Sequence, residues 1–208
     1  MAEPFDLLET IKWTPERGFF LLDRHLRRMD RSAAYFNFQC STSELRARLE
    51  GAVADSPAAQ RVRLLLARNG DVRVESAPLG AETPAAPATL GIAAAPIDPQ
   101  DPFLFHKTTN RAVYVSAGQP GCDDVVLWNP DRQITESTIA NIVVDLEGRK
   151  VTPPVRCGLL AGTFRAELLE TGAIQEAIVT LDELQSAAGI WLINSVREWW
   201  PATLHREH

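Results

Sequence analysis

The stretch VVLWNPDRQITESTIANIVVDLEGRKVTPPVRCGLLAGTFRAELLE, residues 125–170, carries most of the fold information in this chain. Residues 125–128 and 134–137 are apolar or β-branched runs separated by Asn129-Pro130-Asp131, a turn signal, and predict a hairpin. Residues 141–146 and 150–153, separated by Glu147-Gly148, predict a second. Gly158-Leu159-Leu160-Ala161-Gly162-Thr163 then runs straight into a helical segment, FRAELLETG, with Gly172 placed as its C-cap. Hairpins followed directly by a helix mark a mixed α/β (α+β) chain.

Working outward, Thr180-x-x-Glu183 predicts a capped short helix and residues 190–194 (IWLIN) a buried strand. Upstream, residues 77–102 hold six of the 14 prolines, many alanines and few charges. One strand, 89–95, is expected inside this stretch, and the domain boundary falls there. The expected division is a small amino-terminal α/β domain with linker, 1–97, and a larger α/β domain, 98–208. In the first, residues 5–13 read as a strand closed by Thr14-Pro15-Glu16-Arg17-Gly18, with 18–22 as its hairpin partner. Leu22, Leu26, Met29, Ala33 and Phe36 recur at helical spacing, and Arg24, Arg28 and Arg31 line another face. Ser41-Thr42-Ser43-Glu44 caps a second helix running to about Ala54. Residues 61–67 and 72–76 form a hairpin about Asn69-Gly70-Asp71.

The chain has 208 residues, 45% hydrophobic and 23% charged, which is ordinary globular usage and excludes a disordered or low-complexity protein. A net charge of -6 disfavours an electrostatic nucleic-acid role. There is no run of about 18 apolar residues, so no membrane-spanning segment is expected. The amino terminus has no basic start and apolar core of a signal peptide, and a cytoplasmic setting is expected. Cys40, Cys122 and Cys157 are scattered, supporting neither a disulfide framework nor a zinc site, and no metal ligand set is readable.

Only three of the 21 basic residues are lysines, Lys12, Lys107 and Lys150. Lys107 sits between apolar Leu104-Phe105 and polar Thr108-Thr109-Asn110. That setting suits a partly desolvated amine nucleophile, or equally an exposed charge at a domain edge. Gly158 to Thr163 opening a helix suits a phosphate, or an ordinary cap; it is not a P-loop, since no Gly-Lys-[Ser/Thr] follows. Glu136 lies among small polar residues between two strands and is either a cleft acid or a surface carboxylate. Arg28 is a bidentate phosphate partner or a solvated helix arginine. Asn194-Ser195 after a buried strand is a ligand contact or a turn.

In order along the chain stand an arginine helix (His25-x-x-Arg28), Lys107-x-x-Asn110-Arg111, Thr135-Glu136-x-x-x-x-Asn141, Gly162-Thr163-x-Arg165 opening a helix, and Asn194-Ser195 before Pro201. In this combination they resemble the class IV aminotransferase family, the fold-type IV pyridoxal phosphate enzymes, from about Phe5 onward. The similarity is greatest to the 4-amino-4-deoxychorismate lyase branch. The resemblance implies a two-domain, D-amino-acid-aminotransferase-like architecture with the cofactor between the domains and, here, a truncated small domain. It implies pyridoxal 5'-phosphate as cofactor and Lys107 as the Schiff-base lysine and proton shuttle. Glu136 would pair with the pyridinium nitrogen. Arg28, the backbone N–H groups of Thr163 and Phe164, and Ser195 would meet the phosphate, with Asn141 shaping the site. Asn110 and Arg111 match the lyase pattern and would orient substrate or support Lys107. Arg63 and Arg68 are candidates for a substrate carboxylate.

The implied activity is cleavage of 4-amino-4-deoxychorismate to 4-aminobenzoate and pyruvate, in folate synthesis. The alternatives are a D-amino-acid or branched-chain type transaminase, and a non-catalytic cofactor-binding homologue. The implied partners are a small amino substrate, a second copy of the chain in a homodimer, and an aminobenzoate synthase.

Overall fold

A computed structural model describes residues 4–80 and 87–205. Part of the proline-rich linker, 81–86, lies outside the described residues. The described chain forms two compact units. One holds the elements up to residue 80 together with residues 106–110; the other holds the rest.

The first unit contains β1 (Leu7–Thr14), β2 (Gly18–Phe19), α1 (Leu22–Phe36), α2 (Thr42–Val53), β3 (Gln60–Leu66) and β4 (Val72–Pro78). The strands form an antiparallel sheet in the order β2-β1-β3-β4. Leu7 and Ile11 of β1 and Val62, Leu64 and Leu66 of β3 pack with Leu26, Met29 and Ala33 of α1 and Leu45, Leu49 and Val53 of α2. Leu45, Leu49 and Leu64 have no exposed surface; truncating any one to Ala costs roughly 2–5 kcal/mol. Ser41 caps α2 by accepting from the Glu44 N–H. The predicted hairpin partner 18–22 is only two residues of strand, because the chain enters α1 at once through Leu21 at φ 55°.

Only Trp13 and Thr14 of β1 pair with β2. At the other end of that strand, beside Leu7 and Leu8, lies the distant segment 106–110. The Leu8 N–H donates to the Lys107 carbonyl, the Thr109 N–H to the Asp6 carbonyl, and the Asp6 N–H to Thr109 Oγ1. This pairing counts the lysine segment with the first unit, although it lies beyond the sequence-based boundary.

The second unit contains β5 (Ala88–Ile92), α3 (Ala112–Ser116), β6 (Asp124–Trp128), β7 (Ile134–Ser137), β8 (Asn141–Leu146) and β9 (Arg149–Thr152), then α4 (Thr163–Glu170), β10 (Gln175–Glu176), α5 (Leu181–Ser186), β11 (Gly189–Asn194) and β12 (Glu198–Leu204). Its sheet runs β10-β9-β8-β11-β12-β5-β6-β7, and β7 also pairs with β8. That last pairing closes six strands, β8-β11-β12-β5-β6-β7, into a barrel, while β9 and β10 extend from β8. Ala88, Leu90, Val126, Ile134, Ile142, Val144, Ile190, Leu192, Trp200 and Ala202 fill one core. The β8–β9 turn is Glu147-Gly148 with both φ positive, as a two-residue hairpin turn demands. Thr180 and Glu183 form the predicted capping box.

Sequence reasoning missed β12. Pro201 argues against an interior strand because it has no N–H to donate. Here it pairs only opposite Trp191 of β11, and the parallel pairing with β5 begins one residue later, at Ala202.

Candidate active site

In the first unit, the face of β1 that sends Leu7 and Ile11 into the core also sends Glu9 there, since side chains two apart share a strand face. Glu9 is 1% exposed, and an unpaired charge in such a place is costly. α1 supplies the partners from His25 and Arg28, three residues apart and both buried. Arg28 Nε donates to Glu9 Oε1 at 2.8 Å and Nη2 to Oε2 at 2.6 Å, while His25 Nδ1 lies 2.6 Å from Oε2.

Burial alone would push the Glu9 carboxyl up. The Arg28 guanidinium and His25 outweigh it and hold the group at about 2, against an ordinary 4.5. For His25 the balance falls the other way. Burial, aided by the charges of Arg28 and Lys107, lowers its pKa despite the carboxylate. Arg28 and Glu9 are therefore the ionised pair, and His25 is a neutral Nδ1–H donor at pH 7. Sequence periodicity places Arg28 in a row with Arg24 and Arg31 on a face apart from the core. The structure buries it, and the reason is Glu9.

Lys107 is half-buried. Its backbone is anchored to Leu8, the neighbour of Glu9. On one side His106 stacks on Tyr35 with ring centroids 4.4 Å apart, and its Nδ1 lies 2.9 Å from Ser32 Oγ, both on α1. On the other side Thr108 bridges to Leu7, and its hydroxyl donates to the Asn110 carbonyl. The lysine thus stands on a backbone held from two directions. Arg63 is opposite Thr10, on the sheet face away from Glu9, and pairs with Glu75 at 2.8 Å. Arg68 donates to the Phe36 carbonyl and lies over the Phe38 ring. Arg63 thus joins β3 to β4, and Arg68 joins the hairpin turn to the end of α1.

In the second unit, Glu136 and Asn141 are the residue pair that joins β7 to β8. Ser137 closes the turn between them, its N–H donating to the Ala140 carbonyl. The β6–β7 register opposes Val126 to Ser137 and Trp128 to Ile134, so β7 carries one extra residue. This bulge turns Glu136 away from the core face of Ile134 and onto the face of Asn141. Glu136 is 4% exposed. Oε1 accepts from Tyr114 Oη at 2.9 Å and from the Leu160 N–H at 3.1 Å, and Oε2 from Asn141 Nδ2 at 3.3 Å. Three converging donors favour the anion. Asn141 Nδ2 also donates to the Leu160 carbonyl at 2.9 Å, which ties the loop before α4 to the barrel seam.

That loop ends at Gly162, the N-cap of α4, which brings no side chain to the helix start. A Cβ there would fall 2.0 Å from Asn141 Oδ1. Gly162→Ala is expected to lower stability by about 1–3 kcal/mol through this overlap, seen as a lower urea midpoint. Thr163 and Phe164 open α4 and are both buried, Phe164 lying edge-on to Trp199. Ser195 is 7% exposed in the β11–β12 turn. The Asn194 side chain closes that turn by accepting from the Val196 and Arg197 N–H groups. Arg111 donates to the Thr138 carbonyl and stacks over Tyr114, 4.6 Å from its centroid. Thr138 is held as well by Asp124, whose Oδ1 takes its N–H and its hydroxyl.

The structure thus groups the predicted residues by unit. Arg28 and Lys107 lie with Glu9 and His25; Glu136, Asn141, Thr163 and Arg111 lie about the seam and the start of α4. Sequence reasoning overlooked Glu9 and Tyr114. Glu9 reads as one polar residue in a strand, and Tyr114 as part of an unremarked short helix. Among the described residues, no cluster of three or more His, Cys, Asp or Glu is placed to hold a metal ion, and no helix is long and apolar enough to cross a membrane.

The buried seam glutamate and the glycine-led helix start of the second unit, and the buried arginine of the first, are residues that the resemblance to the fold-type IV pyridoxal phosphate enzymes singles out. The aminotransferase class IV family model matches residues 6–204, and the chain belongs to that family. A Schizosaccharomyces pombe protein named "Putative aminodeoxychorismate lyase" is 34% identical over 94% of this chain and 88% of its own. A solved Mesorhizobium loti structure, named as a "Putative amino-acid aminotransferase", is 38% identical with a TM-score of 0.90, over 97% of this chain and 100% of that one. A Legionella pneumophila structure named "Putative 4-amino-4-deoxychorismate lyase" shares the fold at 20% identity and a TM-score of 0.86, over 96% of this chain and 82% of that one.

Proposed function

We propose that the protein is a pyridoxal phosphate-dependent lyase that converts 4-amino-4-deoxychorismate to 4-aminobenzoate and pyruvate. The observation that carries this reading is Lys107-x-x-Asn110-Arg111, the pattern of the lyase branch, in a chain 34% identical to the fission-yeast relative of that name. The donor set suits the cofactor. Glu136, buried and met by three donors, is an anion for a cationic ring nitrogen. Arg28, fixed by Glu9, is a cation for the phosphate. The N–H groups of Thr163 and Phe164, behind a glycine, are further phosphate donors.

When bound, pyridoxal phosphate supplies an electron sink for charge developing at the substrate α-carbon. Lys107 would hold the cofactor through its Nζ and, once displaced from it by the substrate amine, would take the proton from the substrate α-carbon with the same, now free, nitrogen. Glu136 would hold the proton on the ring nitrogen of the bound cofactor. Aromatisation of the product ring drives the departure of pyruvate, so the chain mainly positions groups. The test is pyruvate release from 4-amino-4-deoxychorismate by cofactor-loaded protein with no keto acid added. Equal amounts of pyruvate and 4-aminobenzoate are expected, and their absence overturns the lyase reading.

A second reading, transamination, is favoured by the name of the Mesorhizobium loti relative. It predicts that an amino acid, followed by a keto acid, is turned over where 4-amino-4-deoxychorismate is not.

A further inference from the structure

Tyr114 is half-buried on α3, seven residues after Lys107. Its hydroxyl points at the seam glutamate, 2.9 Å from Oε1. Arg111 covers its ring and is itself fastened to the Thr138 carbonyl, in the turn that follows Glu136. Asp124 holds the same turn from the other side. The phenol is therefore fixed at both ring and hydroxyl. Burial and the facing carboxylate raise its pKa far above the ordinary value, so Tyr114 is the donor of the pair.

We propose that Tyr114 is a positioning residue for Glu136: its O–H occupies one lone pair of Oε1, fixes the carboxylate's rotation, and limits how strongly Glu136 draws on a proton shared with a ring nitrogen. The inference rests on the pyridoxal phosphate reading. A carboxylate that accepts a phenol hydrogen bond is a weaker base than one that does not. The proton thus stays on the heterocycle, where it serves the electron sink. The Leu160 N–H cannot replace this control, because it comes from backbone and offers one fixed direction. Asn141 is engaged at the other oxygen.

The test is Tyr114→Phe, which removes only the hydroxyl and keeps the ring beneath Arg111. The protein is loaded with pyridoxal phosphate, and three quantities are compared with wild type: thermal midpoint, visible absorption of the bound cofactor across pH, and kcat against KM. The expected result is a cooperatively folded variant with a displaced pH midpoint of the visible band. The kcat should fall about tenfold, as for loss of an outer partner of a functional group, with KM within about twofold. A band and pH midpoint identical to wild type overturn the proposal, even if the variant is less stable, because a purely structural tyrosine would do that. The absorption readout needs no substrate and stands whichever reaction the enzyme performs. A wild-type protein with no visible band overturns the cofactor reading and this assignment together, and is recognised before any variant is made.

Discussion

Lys107→Ala is expected to abolish covalent retention of pyridoxal phosphate and to lower turnover by at least about 10³-fold, within the range that a positioned acid–base group contributes. Borohydride treatment should add the mass of the reduced cofactor to wild type at Lys107 and add nothing to the variant. The fold should survive, because the backbone bonds at this junction, the Leu8 N–H to the Lys107 carbonyl and the Thr109 N–H to the Asp6 carbonyl, stay in place. Neither bond uses the amine. A cofactor mass found on Lys12 or Lys150, or a variant retaining a tenth of wild-type turnover, would show that the catalytic amine lies elsewhere.

The second large effect is on stability. Glu9→Leu removes the anion that Arg28 and His25 face in a buried ion pair, at an expected cost of about 3–5 kcal/mol at pH 7. The pH dependence identifies the source. Glu9 titrates near 2 in the folded protein against an ordinary 4.5. Its stabilisation, about 3 kcal/mol, is therefore complete above pH 4.5 and disappears as pH falls toward 2. His25, whose pKa is lowered by burial, takes up a proton more readily unfolded than folded, so it too withdraws stability as pH drops below its ordinary 6.5. Wild-type urea midpoints should fall through both windows. In Glu9→Leu the fall between pH 4.5 and 2 should be shallower by about the missing 3 kcal/mol. Parallel curves for the two proteins would remove Glu9 as the acid-sensitive group.

Much of the architecture is legible because its punctuation is local. Asn69-Gly70-Asp71, Glu147-Gly148 and the Thr180–Glu183 box each act within four residues, and each turn or cap is where sequence reasoning puts it. The site is legible only in part, because its second layer depends on distance. Glu9 sits 16 residues from His25 and 19 from Arg28, so nothing in LLETIKW marks its burial. Tyr114 meets Glu136 across 22 residues of chain. The bulge that turns Glu136 toward Asn141 is visible only in how β6 and β7 count against one another. The strand-like pairing of residues 107–109 is too short for any periodicity to announce. Pro201 hides β12 because the rule that keeps proline out of strands concerns hydrogen-bonded interiors, and this strand gains its second neighbour just past the proline.

The lysine segment has a consequence for dissection of the molecule. The chain enters the second unit at β5, returns to β1 for residues 106–110, and leaves again at Arg111. No single cut can therefore yield both units whole. Severing the linker before β5 produces an amino-terminal fragment that lacks the segment paired with Leu7 and Leu8, and with it Lys107, while the carboxy-terminal fragment carries Lys107 on a segment with nothing to join. Split reporters, fragment complementation and domain grafting in this scaffold must carry residues 106–110 as an insert belonging to the first unit, with two junctions in place of one.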